Sequence, residues 1–204
     1  MDVSFWGPSG WELLHLITFT IGGLEEKKLF LSTLDEILPC KYCRQSSKEF
    51  LKEEEPTNNT ALWLYEFHEK VNTKLRNQHN ENPNKVPLPE KSPSFEIIIK
   101  KYRDILKNRK IKYPGLEFLL SIAFNFDCKK LNTEKHTLFW KCLIKLYPYY
   151  ELRKKLFVPN FKTYFKDVYK MFSDMGYDQP YKETKEEITE HKSSCSKKKV
   201  TCRK

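Results

Sequence analysis

The sequence predicts an all-α protein, on three observations. Apolar residues recur every three or four positions in segment after segment. The 204 residues include only 6 Gly, too few for folds that rely on Gly-rich turns. A content of 39% hydrophobic and 14% aromatic residues can bury a sizeable core. The length suits one domain or two small ones. A charged fraction of 31% and a mean hydropathy of −0.68 exclude a membrane-embedded protein, and no apolar run approaches the roughly 20 residues of a spanning helix. Residues 1–14 lack the basic n-region and small-residue cleavage site of a secretory signal, which leads us to expect a cytoplasmic protein.

Each helix has its own local justification. Ser9 and Glu12 form a capping box, and Trp11, Leu14, His15 and Thr18 repeat behind it, widened by Leu13, Ile17 and Phe19, so a first helix is expected over 9–22. Gly22 and Gly23 stop it. Leu24, Leu31, Leu34 and Leu38 mark a second helix ending at Pro39. A third opens at Cys40, faces inward through Phe50 and Leu51, and breaks at Pro56. Asn59 can cap a fourth that carries Trp63, Leu64, Phe67, His68, Val71, Asn72 and Leu75. Pro83, Pro87, Pro89 and Pro93 make 77–94 a linker. Phe95, Ile98, Tyr102 and Ile105 give a fifth helix, closing a first unit at 1–107. In the second unit, 108–177, Leu116–Ala123, Leu138–Leu146 and Phe161–Phe172 carry further helical patterns. Residues 178–204 turn polar and lysine-rich and read as a disordered basic tail.

The two units echo one another. The stretch from Gly115 to Phe124 follows that from Gly10 to Phe19 position by position, and Leu146 to Arg153 follows Ile37 to Arg44. Trp11, His15, Cys40 and Cys43 become Leu116, Leu120, Tyr149 and Leu152, so the apolar positions persist while the chemical groups are lost. A degenerate repeat and a chance likeness of two amphipathic stretches fit equally well.

Six cysteines are too sparse for a disulfide-stapled miniprotein, yet Cys40 and Cys43 form a C-x-x-C at a helix start. The exposed N–H groups and positive dipole end there favour a thiolate, and the spacing permits a reducible disulfide. In the usual division of labour the N-terminal Cys40 is the more exposed and meets substrate thiols, while Cys43 is the more buried. Zinc would need two further ligands, and the next cysteine, Cys128, is far away; haem attachment would need His where Arg44 stands. No metal site is expected. Neither G-x-G-x-x-G nor G-x-x-x-x-G-K-[ST] occurs, so a nucleotide would have to be held in another way.

Trp6-Gly-Pro-Ser-Gly-Trp11-Glu-Leu-Leu-His15, Leu38-Pro-Cys-Lys-Tyr-Cys43, and Trp63 with His68-Glu-Lys-Val71-Asn72-Thr-Lys-Leu75 carry a resemblance. Together they look like the W-G-x-x-x-W-x-x-L-H, P-C-x-x-C and H-N-x-V-N-x-x-L signature of the Erv/ALR family of FAD-linked sulfhydryl oxidases, over residues 4–107. The helical extension and missing targeting signal most resemble members from large cytoplasmic DNA viruses, which would act in host cytoplasm or virion. The resemblance implies an Erv-type helical bundle around FAD, with the C-x-x-C against the flavin ring and the adenine held between aromatic side chains. Trp11, His15, His68, Val71, Asn72 and Leu75 would line the cofactor, with Trp6 and Gly7 at the entrance. It further implies oxidation of protein thiols, directly or through a thioredoxin-like relay protein, with dioxygen reduced to hydrogen peroxide, and a homodimer. Glu69 and Asn77 depart from the pattern, and Lys85 or Lys91 could replace a missing phosphate-neutralising charge. Cys195 and Cys202 resemble the family's shuttle cysteines in arrangement, against the plainer reading of two thiols on a tail. Cys128 and Cys142 sit on neighbouring helices, where a bridge or two buried thiols would both fit. The net charge of +10 and the basic tail could attract nucleic acid, but no DNA-binding motif accompanies them. The competing function is an inactive Erv-like scaffold.

Overall fold

The computed structural model describes residues 1–84 and 88–192. Every regular element among them is a helix: α1 (Val3–Phe19), α2 (Leu24–Ser32), α3 (Leu34–Ile37), α4 (Lys41–Glu53), α5 (Thr60–Glu81), α6 (Phe95–Asn108), α7 (Leu116–Asn125), α8 (Thr133–Leu146), α9 (Tyr150–Arg153), α10 (Tyr164–Asp174) and α11 (Tyr181–Lys192). The starts of α4, α5 and α6 agree with the sequence reading. Cys40 caps α4, and Asn59 caps α5 through Oδ1, which accepts from the Leu62 N–H at 3.2 Å.

Three local expectations give way to tertiary packing. First, α1 starts before the Ser9–Glu12 box, capped by Asp2, which accepts from the Ser4 N–H at 3.0 Å. Pro8 inside it removes one helical hydrogen bond, and burial of Met1 and Trp6 offsets that loss. Second, the helix expected to run from Leu24 to Pro39 breaks at Thr33, whose buried hydroxyl donates to the Phe30 carbonyl at 2.6 Å and competes with the backbone ladder. Third, the tail expected to be disordered from 178 is helical through Lys192. Ile188 and Thr184 are buried, the Asp2 N–H donates to the His191 carbonyl at 3.1 Å, and Phe5 stacks on His191 with centroids 4.0 Å apart. Cys195 and Cys202 lie outside the described residues. The linker is shorter than expected, because α5 runs on to Glu81.

Helix α1 is the hub. It packs on α5, α6 and α7, while α2 packs on α8 and α7 on α10. Its approach to α7 is close because both helices present glycine: a Cβ on Gly10 would lie 3.1 Å from the Phe118 ring. One on Gly115, whose φ is +81°, would lie 2.5 Å from Leu13. One contiguous apolar core therefore runs from Met1 to Ile188, and the boundary expected at 107/108 is not a gap in packing. A smaller cluster joins Leu16 of α1 to Ile98, Tyr102 and Ile105 of α6. The C-terminus of α1 is closed by the buried Lys27, whose Nζ donates to the carbonyls of Thr18, at 3.2 Å, and Thr20. No described helix is long and apolar enough to cross a membrane. Cys128 is exposed and Cys142 buried, and no bridge joins them.

The α1–α7 seam also holds two glutamates. Burial, then Glu117, raises the Glu12 carboxyl to about 7, against a smaller opposing pull from Lys101. A carboxyl raised in the folded state binds more protons there than in the unfolded chain, so this group lowers stability as pH climbs from about 4.5 to 7. We expect Glu12→Gln to gain about 1 kcal/mol over the parent at pH 8, after discounting for solvent screening, and nothing at pH 4.5. Urea unfolding at the two pH values measures it.

Candidate active site

Three helices each turn one stripe toward a common cavity of about 490 Å³. On α1 the stripe is Gly7, Gly10, Trp11 and Leu14, with Trp6 beside it; on α4 it is Cys43, Ser46, Ser47 and Phe50; on α5 it is Phe67, Val71, Lys74, Leu75 and Gln78. Each follows the three-to-four spacing of one helical face. Leu88 and Pro89 of the linker close one side, and Phe118 of α7 reaches in from the second half of the chain. The size and the apolar walls suit a flat organic ligand.

The C-x-x-C sits at the start of α4 because Pro39 holds Leu38 extended (φ −57°, ψ 138°) and so prevents α3 from running on. Cys40 is the N-cap, and its Sγ accepts from the Cys43 N–H at 3.4 Å. Cys40 is 3% exposed, whereas Cys43 is half-buried and lines the cavity. The expected order of exposure is thus reversed. Cys40 is tucked under its own turn, while Cys43, one turn on, looks into the cavity. Arg44 donates to the Leu38 carbonyl; burial lowers the pKa of its guanidinium, against smaller opposing pulls from Cys40, Glu36 and Cys43 nearby. Behind this loop, Lys135 of α8 holds Asp35 at 2.8 Å, and His136 lies against Glu36.

Of the residues expected to hold a cofactor, Trp6, Gly7, Trp11, Val71 and Leu75 line the cavity. His15, His68 and Asn72 do not. His15 is buried against Tyr102, their rings 4.7 Å apart, and His68 stacks on Trp11 at 3.7 Å and 10°, which leaves no room for a third ring between them. Burial holds His15 down at about 3 and His68 at about 4, so both are neutral at pH 7. Asn72 instead ties down the linker, donating to Ser92 Oγ at 2.9 Å and to Glu69 at 3.1 Å, while Ser92 also donates to Glu69. Lys91 is exposed, and Lys85 lies outside the described residues. Lys74, which the sequence reading passed over, is the cation on the wall, and its Nζ donates to Ser46 Oγ at 2.7 Å. Extending the stripe from Val71 by helical spacing would have found it, together with Phe67 and Gln78.

A cofactor can be tested against these walls. Trp6 Nε1 is buried without a hydrogen-bond partner, an orphan donor at the edge of an apolar slot. With Lys74 and Ser46 for an anionic group and aromatic and aliphatic faces for a ring, the donor set fits a flavin nucleotide.

The linker wall depends on Asn72. We expect Asn72→Ala to speed amide hydrogen exchange in residues 88–94 and to cost about 1 kcal/mol, with little change in the exchange of α4.

The profile of the Erv1 / Alr family matches residues 8–89. The mitochondrial FAD-linked sulfhydryl oxidase ERV1 of Saccharomyces cerevisiae is 32% identical over 85 residues, which is 37% of this chain and 45% of that protein. The chain therefore spans less than half the length of that relative. No solved structure matches the chain. The stripe geometry, the dithiol at its edge and these two matches point the same way: residues 8–89 are similar to the domain of the Erv1 / Alr family.

Proposed function

We propose that this chain is an FAD-dependent sulfhydryl oxidase, forming disulfides in protein thiols presented directly or by a thioredoxin-like relay protein. The observation that carries the reading is the position of Cys43 on the wall of an aromatic slot with its redox partner Cys40 directly behind it. The family match of residues 8–89 and the FAD-linked relative support the same reading.

In the oxidised enzyme Cys40 and Cys43 form the reactive disulfide. A substrate thiolate attacks Cys40 Sγ, the Cys40–Cys43 bond breaks, and Cys43 leaves as a thiolate into the cavity. A second substrate thiol then displaces Cys40, leaving an oxidised substrate and a reduced pair. Arg44 steadies negative charge at either sulfur. Cys40 is almost fully buried, so a substrate thiolate reaches it only when the α4 N-terminal turn loosens. Trp6 Nε1 and Lys74 would hold the cofactor's polar edge and phosphates, and the stripes of α1 and α5 would exclude water. Bound FAD would supply a two-electron acceptor that dioxygen reoxidises, yielding hydrogen peroxide.

Purified chain should carry a visible flavin band and consume oxygen when given a small dithiol. Replacing Cys43 with Ser should lower turnover by at least about a thousand-fold while the flavin remains bound, which separates loss of chemistry from loss of cofactor. A colourless protein without uptake would favour the scaffold reading.

A further inference from the structure

The second half of the chain follows the first in the order of its helices, and the two leading pairs of counterparts pack on one another. Gly115 answers to Gly10, and Leu146 to Ile37; a longer connection, 126–132 against 20–23, absorbs the change of register between them. In this register α7 answers to α1 and α8 to α2, and the pairs in contact are α1 with α7 and α2 with α8. Further out, α5 and α6 pack on α1 as α10 and α11 pack on α7.

Individual contacts obey the same rule. Gly10 lies against Phe118 and Gly115 against Leu13; since Phe118 answers to Leu13, these are one contact written twice. Glu12 faces its own counterpart Glu117. Phe30 stacks on its own counterpart Phe139, centroids 4.9 Å apart. Glu26 pairs with Lys145 at 3.0 Å and Lys135 with Asp35 at 2.8 Å, so the same two places are bridged with the charges exchanged, one residue out of register. The turns before the caps also coincide. Leu38 (φ −57°, ψ 138°) answers to Tyr147 (φ −49°, ψ 135°), and the Arg44-to-Leu38 hydrogen bond to that from Arg153 Nε to the Tyr147 carbonyl, at 2.8 Å. When residue i of one half touches the counterpart of j, and j touches the counterpart of i, the contact has the reciprocity of a two-fold interface, here folded into one chain. Chance likeness of two amphipathic stretches predicts none of these reciprocal pairs.

The geometry points to an internally duplicated chain in which the second copy has lost its own site and serves as the permanent partner of the first. Tyr149 and Leu152 stand where Cys40 and Cys43 do, and α9 ends after 4 residues where α4 runs for 13, so the second copy has no wall to match the dithiol stripe. It contributes to the first site nonetheless. Phe118 lines the cavity beside Trp6, and Lys135 braces α3, the helix that leads into Cys40. One chain is the complete unit; a second copy of it is not required. That the braced site is an oxidase rests on the reading above, but the pairing itself does not.

Two measurements on the full chain test this without reference to flavin. Sedimentation or light scattering over about 1–100 µM should give the mass of one chain, 24.5 kDa, at every concentration; a concentration-independent mass of two chains overturns the proposal. In Glu26→Cys/Lys145→Cys, an exposed pair whose replacement leaves the core intact, a short bifunctional thiol reagent should link residues 26 and 145 within a species of single-chain mass. A 26–145 link found only between chains overturns it. A colourless, inert protein that passes both tests would sink the oxidase reading and leave the duplication standing.

Discussion

The close approach of α1 and α7 is the constraint on which the rest of the structure depends. Two glycines allow it, and a methyl group at Gly115 would drive into Leu13 while demanding a backbone that side chains disfavour. With the helices this near, Phe118 can reach past Gly10 into the cavity and stack beside Trp6 at 5.7 Å. The other sides of α1 are then free for different work: Trp6, Gly7, Trp11 and Leu14 face the slot, while His15, Leu16 and Phe19 face α6. A helix committed on every side is held rigidly, and rigid walls are what a precisely placed redox ligand requires.

The electrostatics of the site follow from the same enclosure. Burial keeps His15, His68 and His136 neutral, so the positive charge around the site comes from Arg44 and Lys41 beside the dithiol and from Lys74, which reaches Ser46 one turn beyond Cys43. Such an arrangement suits a pocket that receives a negatively charged, flat molecule. The second half of the chain supplies a brace: Lys135 on Asp35, His136 against Glu36, and the apolar face of α8 under α2.

The helices of the first unit were legible wherever a local signal and the tertiary environment agreed. Cys40 and Asn59 are caps in the structure as their sequence contexts imply, and the three-to-four spacing of Val71 and Leu75 does face the slot. Where the two disagreed, burial won. The Ser9–Glu12 box lost to the anchoring of Met1 and Trp6, Thr33 interrupted a continuous leucine pattern with a hydrogen bond worth about 1 kcal/mol, and a lysine-rich stretch that reads as disordered became α11 because Thr184 and Ile188 found the surface of α7. Composition reports average polarity and does not register that two buried residues can dock a helix.

The sequence by itself determined the helical class, the position of the dithiol at a helix start, the two tryptophans of the slot and the faint echo between halves. All of these depend on spacing along one chain. Only the tertiary structure decided which cysteine faces the cavity, that His15, His68 and Asn72 turn away from it, and that Lys74 and Phe118 belong to it. It also decided that the two echoing halves pack as partners. Such facts depend on which faces meet across long stretches of chain, and that choice is made by packing volume and burial rather than by any local propensity.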